Sequence, residues 1–460
     1  MPPRAPIRTR INISTVTLAT LAAMMIGCSE RHPPRSAIVV VVDTLRADHL
    51  GTYGYGRATS PQLDDYARQG RVFERAYSTS TWTLPSLASL HTGRFPATHR
   101  AGMSSFQSPD AIAANRLGHE LPTLAEVFAA RGFSTAAIVN NPLLEPAFGL
   151  HRGFQTYDHP HATGRSTRRA DEVVDRALAL LDTWRDRSFL LVLHFVDPHL
   201  DYDAPAPFGG QFSAAYGSRL TRPVGDLNAL RPQLPHFAAE DREFIKAAYD
   251  EEIAFVDQQL GRLWAGLAQR VMLDRSLIVL TADHGEEFFE HAGFEHGHAM
   301  WEEIIRVPLI IWGPGVRAGR EASPVSLIDV MPTLLEWIDV PVAADLDGVS
   351  LWPNLATGAT ISQRTLLADG ILYGGPETMI QLWPLKVVVG EQLRPLRVTN
   401  LSVDPEERHN LLDTQPNVAD PLVAQLRRQL TAATAPSRRQ PPAGLDPSVL
   451  DRLRSLGYIR

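Results

Sequence analysis

The run Ala37-Ile38-Val39-Val40-Val41-Val42 constrains the fold more than any other feature of the chain. All six residues are apolar and five are β-branched, so the segment offers no polar face to water. It reads as a strand buried on both sides, which is the mark of a parallel sheet covered by helices. Comparable runs recur at 134–139, 189–195, 277–280 and 307–311. Between them, 121–131, 169–184 and 240–268 carry apolar residues at helical spacing. This alternation predicts an α/β layered fold with a mostly parallel central sheet flanked by helices. From about Asp345 the apolar stretches shorten and are broken by Pro and Gly. Short strands at 366–372, 385–389 and 396–398, a Pro-rich stretch at 435–447 and a last helical segment at 449–456 predict a smaller C-terminal α+β subdomain. The expected organisation is a leader (1–28), a linker (29–35), a main α/β domain (36–344) and a C-terminal subdomain with a tail (345–460).

The leader places Arg4, Arg8 and Arg10 before an apolar stretch from Ile11 to Ile26 and ends in Gly27-Cys28. That is a signal-peptide pattern, and its end resembles a bacterial lipobox. A stray buried thiol or a short retained anchor are the alternatives. A cysteine after a small residue at the end of an apolar run favours lipidation of Cys28, and so a lipoprotein exported across the inner membrane and held at the periplasmic or outer surface. Cys28 is the single cysteine of the chain, so no intrachain disulfide can form. The formal net charge is −7 and there is no long basic run. Nucleic acid is therefore not an expected partner, because its phosphates call for a clustered positive surface.

In open α/β sheets ligands sit beyond the carboxyl ends of the strands, which directs attention to the polar residues that follow the apolar runs. These are Asp43, the segment His194 to Asp203 with Asp197 and His199, and Asp283-His284. Asp43 alone signifies little, since an Asp at a strand tip is commonly a cap or turn former. After Asp283-His284-Gly285 come Glu286, Glu287, His291, His296 and His298. Ordinary loops rarely collect so many metal-capable side chains. Thr83 stands two residues before Pro85-Ser86, natural first-turn residues of a helix whose free N–H groups favour an anion. A plain Thr N-cap is the competing reading of that segment.

Taken in order, these segments resemble the bacterial sulfatase family of the sulfatase/alkaline phosphatase superfamily. The resemblance is carried by Asp43 to Tyr55, Thr83 to Arg94, Asp197 to His199, Tyr249 to Asp257, Asp283 to Phe288 and Arg306 to Gly315, with further matches at Ile328 to Thr333 and Leu453 to Tyr458. It implies the alkaline phosphatase-like fold and one divalent metal ion held by Asp43, Asp283 and His284, with Thr83 as the nucleophile that also contacts the metal. It also implies that His199 binds substrate. A further basic residue facing the ester oxygens corresponds to His296 or His298.

The chain departs from the main sulfatase pattern at informative places. Thr83-Leu84-Pro85-Ser86-Leu87 lacks the Cys or Ser and the Arg that formylglycine formation requires, so no formylglycine is expected. Thr44 stands where many sulfatases carry a second Asp, and His284 where many carry Asn. Calcium is the metal that the resemblance implies. The Thr44/Thr83/His284 set has one carboxylate fewer and one nitrogen more, which favours manganese or zinc. This set is similar to that of phosphoglycerol and phosphoethanolamine transferases, which use a phosphothreonine intermediate. The leading expectation is a hydrolase of a sulfate ester or a phosphate mono- or diester. The expected substrate is a small-molecule, glycan or lipid ester, its pocket walls built by loops such as 204–236. A periplasmic envelope transferase and an inactive binding protein of the same fold are the alternatives.

Overall fold

In the computed structural model, residues 35–103, 112, 115–160, 167–225, 230, 232–433 and 446–455 are described. The expected signal segment and Cys28 lie outside them. The apolar runs form the strands that their composition predicts. β1 (Ser36–Val42), β5 (Phe189–Phe195) and β6 (Ser276–Thr281) are buried along their whole lengths. β1 lies between the other two, with Val42 paired to Phe195 and Val41 to Thr281, all parallel. At roughly 1.5–3 kcal/mol for each fully buried Val, Leu or Ile, these three strands anchor the domain.

The large sheet has nine strands in the order β10–β2–β9–β6–β1–β5–β3–β4, with β11 also pairing β2. The remaining strands are β2 (Arg71–Tyr77), β3 (Ser134–Ile138), β4 (Thr156–Asp158), β9 (Arg306–Trp312), β10 (Gly319–Glu321) and β11 (Val325–Ser326), while β7 (Glu287–Phe288) and β8 (Phe294–Glu295) form a separate two-stranded sheet. In the large sheet only β9 runs against its neighbours, β2 and β6. Sequence pattern alone misses β2, because Glu74 and Arg75 interrupt its apolar residues. The ladder to β9 shifts register between Phe73 and Ala76, which leaves the two charged residues outside the pairing. Helices α1 (Pro61–Ala67), α2 (Thr83–Thr92), α3 (Leu124–Ala130), α4 (Ala170–Asp182), α5 (Ala239–Gln269) and α6 (Val330–Trp337) connect the strands.

A second sheet is antiparallel in the order β12–β13–β14–β15, over Leu366–Asp369, Thr378–Leu382, Leu385–Val389 and Pro395–Asn400. Helix α7 (Asp420–Ala433) packs Leu422 and Leu426 against it. Leu351, Leu355, Val449 and Leu453 join the core of the large sheet, so the chain after 345 contributes to both layers. Among the described residues no helix is long and apolar enough to cross a membrane.

Helix α5 acts as a strut for the loops at the carboxyl edge. Tyr249 Oη donates to the Thr44 carbonyl at 2.8 Å and accepts from the Arg46 N–H at 2.9 Å. Asp250 takes His49 Nδ1 at 2.6 Å, Tyr55 Oη at 2.6 Å and Arg57 Nη1 at 2.5 Å. Glu251 Oε1 accepts the N–H groups of Phe212 and Ser213 at 2.8 and 2.6 Å. Glu252 Oε1 accepts that of Asp203 at 2.6 Å. Four consecutive residues of one helix therefore fix four chain segments around a single edge of the sheet.

Candidate active site

Three strand tips converge at this edge. Asp43 follows β1 and its N–H donates to the Phe195 carbonyl at 2.9 Å. Asp283 and His284 follow β6. Both carboxylates and the His284 side chain are fully buried. His284 Nε2 lies 3.5 Å from Asp43 Oδ1 and 3.5 Å from Asp283 Oδ2. Its Nδ1 is 3.0 Å from the Gly285 carbonyl. A ring nitrogen facing a carbonyl must carry the proton, which leaves Nε2 as the lone-pair donor toward the carboxylates. Gly285 is required for close approach, because a Cβ there would stand 2.0 Å from the Glu303 carbonyl oxygen.

Thr83 is the first residue of α2, after the N-cap residue Trp82, and is fully buried. Its Oγ1 lies 3.4 Å from His284 Nε2 and 3.4 Å from Asn141 Nδ2. The same Asn141 amide donates to Asp43 Oδ2 at 3.0 Å. Ser86, one turn along, donates to the Asp283 carbonyl at 2.6 Å and so ties the helix start to the tip of β6. Thr44 holds φ = 57° immediately after Asp43. Positive φ is unfavourable for a β-branched residue and marks a conformation imposed by its surroundings, here the Tyr249 hydrogen bond to its carbonyl.

Electrostatically the site is a buried anionic pocket. Burial first, and then the neighbouring Asp283, push the Asp43 carboxyl well above its ordinary range. Asp43 Oδ1, Asp283 Oδ2 and both ring nitrogens of His194 are buried without a hydrogen-bond partner. One ligand atom from each of Asp43, His194 and Asp283 lies within 4.8 Å of the others. Two buried carboxylates, each with one oxygen left without a hydrogen-bond partner, are a costly arrangement that a divalent cation would relieve, so the residues fit the metal that the sequence implies.

The histidines divide into two groups. His199 and His296 have ring centroids 5.1 Å apart, and His296 lies 4.3 Å from the His284 ring. Burial lowers His199 to about 4 and takes His296 well below its ordinary value, so both are neutral near pH 7. His296 Nδ1 meets Glu286 Oε1 at 2.9 Å. His298 instead pairs through Nε2 with Glu287 Oε2 at 2.7 Å. Its ring is thus engaged away from the cluster, whereas His296 is part of it. His291 stacks on Trp301 with centroids 3.7 Å apart.

The sulfatase family model matches residues 35–340, more than half of the chain. The chain belongs to the sulfatase family. It is 26% identical over 496 aligned residues to the multifunctional alkaline phosphatase superfamily protein PehA of Trinickia caryophylli, covering 86% of this chain and 93% of that protein. Its identity to arylsulfatase K of Danio rerio is 32% over 201 residues, 42% of this chain and 38% of the relative, so this match spans little more than a third of that protein. Among solved structures, a phosphonate monoester hydrolase of Agrobacterium radiobacter superposes with a TM-score of 0.69 at 22% identity, covering 86% and 95% of the two chains. A 2-O GAG sulfatase gives 0.71 at 20% identity, covering 90% and 96%. These likenesses establish the alkaline phosphatase-like fold.

Within this sulfatase-family site, Asp43, Thr83, Asp283, His284, His199 and His296 are brought together. Two residues to which sequence reasoning assigned no role stand beside them, Asn141 and His194, the latter noted only as the start of the segment His194 to Asp203. Asn141 follows the β3 run in the chain, and the strand-tip rule applied to that run as to the others would have found it. His194 lies inside β5, opposite Val41 of β1, where an isolated histidine in an apolar run reads as strand interior.

Proposed function

We propose that this chain is a metal-dependent ester hydrolase that cleaves a sulfate ester or a phosphate mono- or diester by attack of Thr83. The observation that carries the reading is the placement of the Thr83 hydroxyl. It lies within 3.4 Å of both His284 Nε2 and Asn141 Nδ2, beside two buried carboxylates that each leave one oxygen without a hydrogen-bond partner. Asp43, Asp283 and His284 would hold the cation, with Thr83 completing the shell. Bound there, a divalent cation lowers the pKa of a hydroxyl and offsets charge on the attacked ester.

The chain's own residues account for the rest of the reaction. Asn141 holds Asp43 and the Thr83 hydroxyl in one orientation through a single amide. The N-terminus of α2 faces the ester's anionic oxygens with its free N–H groups. His199 and His296 bind the equatorial oxygens as neutral imidazoles, and one of them takes the proton that the Thr83 hydroxyl gives up and passes it to the leaving alcohol. The alcohol departs as the Thr83 oxygen bonds to sulfur or phosphorus, and water then cleaves the Thr83 ester to regenerate the hydroxyl. Outside the described residues, Cys28 is the proposed point of lipid attachment, which would hold the enzyme at the membrane surface.

The test is turnover of paired nitrophenyl sulfate, phosphate monoester and phosphodiester by the purified full-length chain, with each of calcium, manganese and zinc. The expected result is metal-dependent release of nitrophenol from at least one substrate, abolished by a chelator. Transfer of the phosphoryl group to an added alcohol in preference to water would mark a transferase instead. No turnover of any substrate with any metal would leave a binding protein of this fold.

A further inference from the structure

His194 is 1% exposed at the carboxyl edge of β5, and neither ring nitrogen has a hydrogen-bond partner. Such a histidine calls for explanation. Buried imidazoles normally satisfy at least one nitrogen, since leaving both unpaired forfeits their hydration with no return. His194 Nε2 lies 3.6 Å from Asp43 Oδ2, and the ring forms with Asp43 and Asp283 a group whose ligand atoms all lie within 4.8 Å of one another. Three donor atoms at most 4.8 Å apart share a point no more than about 2.8 Å from each, so small side-chain adjustments bring all three to the roughly 2.0–2.4 Å of divalent metal bonds.

We propose that His194 is a ligand of the same metal ion as Asp43 and Asp283, and that its nitrogen tilts the site away from calcium toward a nitrogen-accepting ion, zinc or manganese. The inference rests on the metal reading above and extends it to a residue outside the expected set. With His194 and His284 together, two imidazoles and two carboxylates would hold the ion, and the two carboxylate charges would match a divalent cation. Calcium takes six to eight oxygen ligands, whereas imidazole suits zinc and other borderline ions. The register of the sheet explains the placement. Val41 of β1 pairs with His194 of β5, so the histidine sits level with the residue two before Asp43, and side chains two apart on a strand share one face.

The experiment compares the full-length wild type with His194→Leu and His194→Gln, all stripped of metal and titrated calorimetrically with zinc, manganese and calcium. Both variants are expected to lose at least about tenfold in zinc affinity while calcium affinity changes much less. The visible absorption of the cobalt-loaded chain is expected to shift as one nitrogen donor is lost. His194→Leu is also expected to leave the metal-free chain at least as stable as wild type, because no hydrogen bond of the fold is removed. Unchanged zinc affinity and an unchanged cobalt spectrum in both variants would overturn the role of His194. If the wild type itself binds none of the three ions, or binds them unaffected by Asp43→Asn, the underlying metal reading fails instead.

Discussion

Replacing Asp250 by Ala tests whether α5 is the strut that shapes the catalytic edge. The carboxylate is fully buried and takes three donors, His49 Nδ1, Tyr55 Oη and Arg57 Nη1, at 2.5–2.6 Å. A hydrogen bond to a charged partner contributes about 1.5–3 kcal/mol and each of the other two about 1 kcal/mol, for a sum of roughly 3–5 kcal/mol. The Arg57 side chain is 25% exposed and regains part of its hydration, which sets the lower end of that range. Asp250→Asn keeps the shape and one acceptor, so it should lose about half as much. The assay is urea unfolding followed by tryptophan fluorescence at constant metal. In the double variant Asp250→Ala/Arg57→Ala, removing the stranded guanidinium should restore about 1 kcal/mol. A loss below about 1 kcal/mol for Asp250→Ala, or strict additivity in the double variant, would refute the strut.

The two candidate histidines should separate cleanly: His296→Ala should cut kcat by about 10²–10⁴, the range of a group acting in the transition state, and His298→Ala by less than tenfold. Equal losses in steady-state kinetics would count against the placement of His296. Burial raises Asp257 to about 7 even though its carboxylate accepts the Gln62 and Leu63 N–H groups at the start of α1. Its folded pKa lies above the unfolded value of about 4, so the folded state binds the extra proton and stability contributed by Asp257 falls as pH rises from about 4 to 7. Wild type should therefore lose stability relative to Asp257→Asn across that window, and parallel pH profiles would contradict it. Cys28→Ala should move the protein from the membrane fraction to the soluble one or block its processing; unchanged fractionation would exclude lipid attachment there.

Much of the fold was readable because fully buried parallel strands leave continuous apolar runs, as β1, β5 and β6 do. Strands that tolerate polar residues were harder to read. β2 hides Glu74 and Arg75 in a register shift, and β13 (Thr378–Leu382) offers only Met379-Ile380 as an unbroken apolar pair. The strand-tip rule located Asp43, Asp283 and His284 because a polar residue directly after an apolar run is conspicuous. It took in His194 only as the start of the segment to Asp203 and gave it no role, because register, which sequence does not display, decides which strand residue reaches the edge. The choice between His296 and His298 also depended on tertiary pairing, since only the fold shows Glu287 engaging His298 while His296 packs against His284.

The central claim is that Thr83 itself attacks the ester, and trapping tests it most directly. The full-length chain is loaded with a slow sulfate or phosphate ester, quenched and mapped by peptide mass spectrometry. The account predicts a sulfuryl or phosphoryl group on Thr83, absent in a Thr83→Ala variant that has lost turnover while keeping its stability within about 1 kcal/mol. An adduct on Ser80, Ser86 or a histidine, or near-normal turnover by Thr83→Ala, would contradict it.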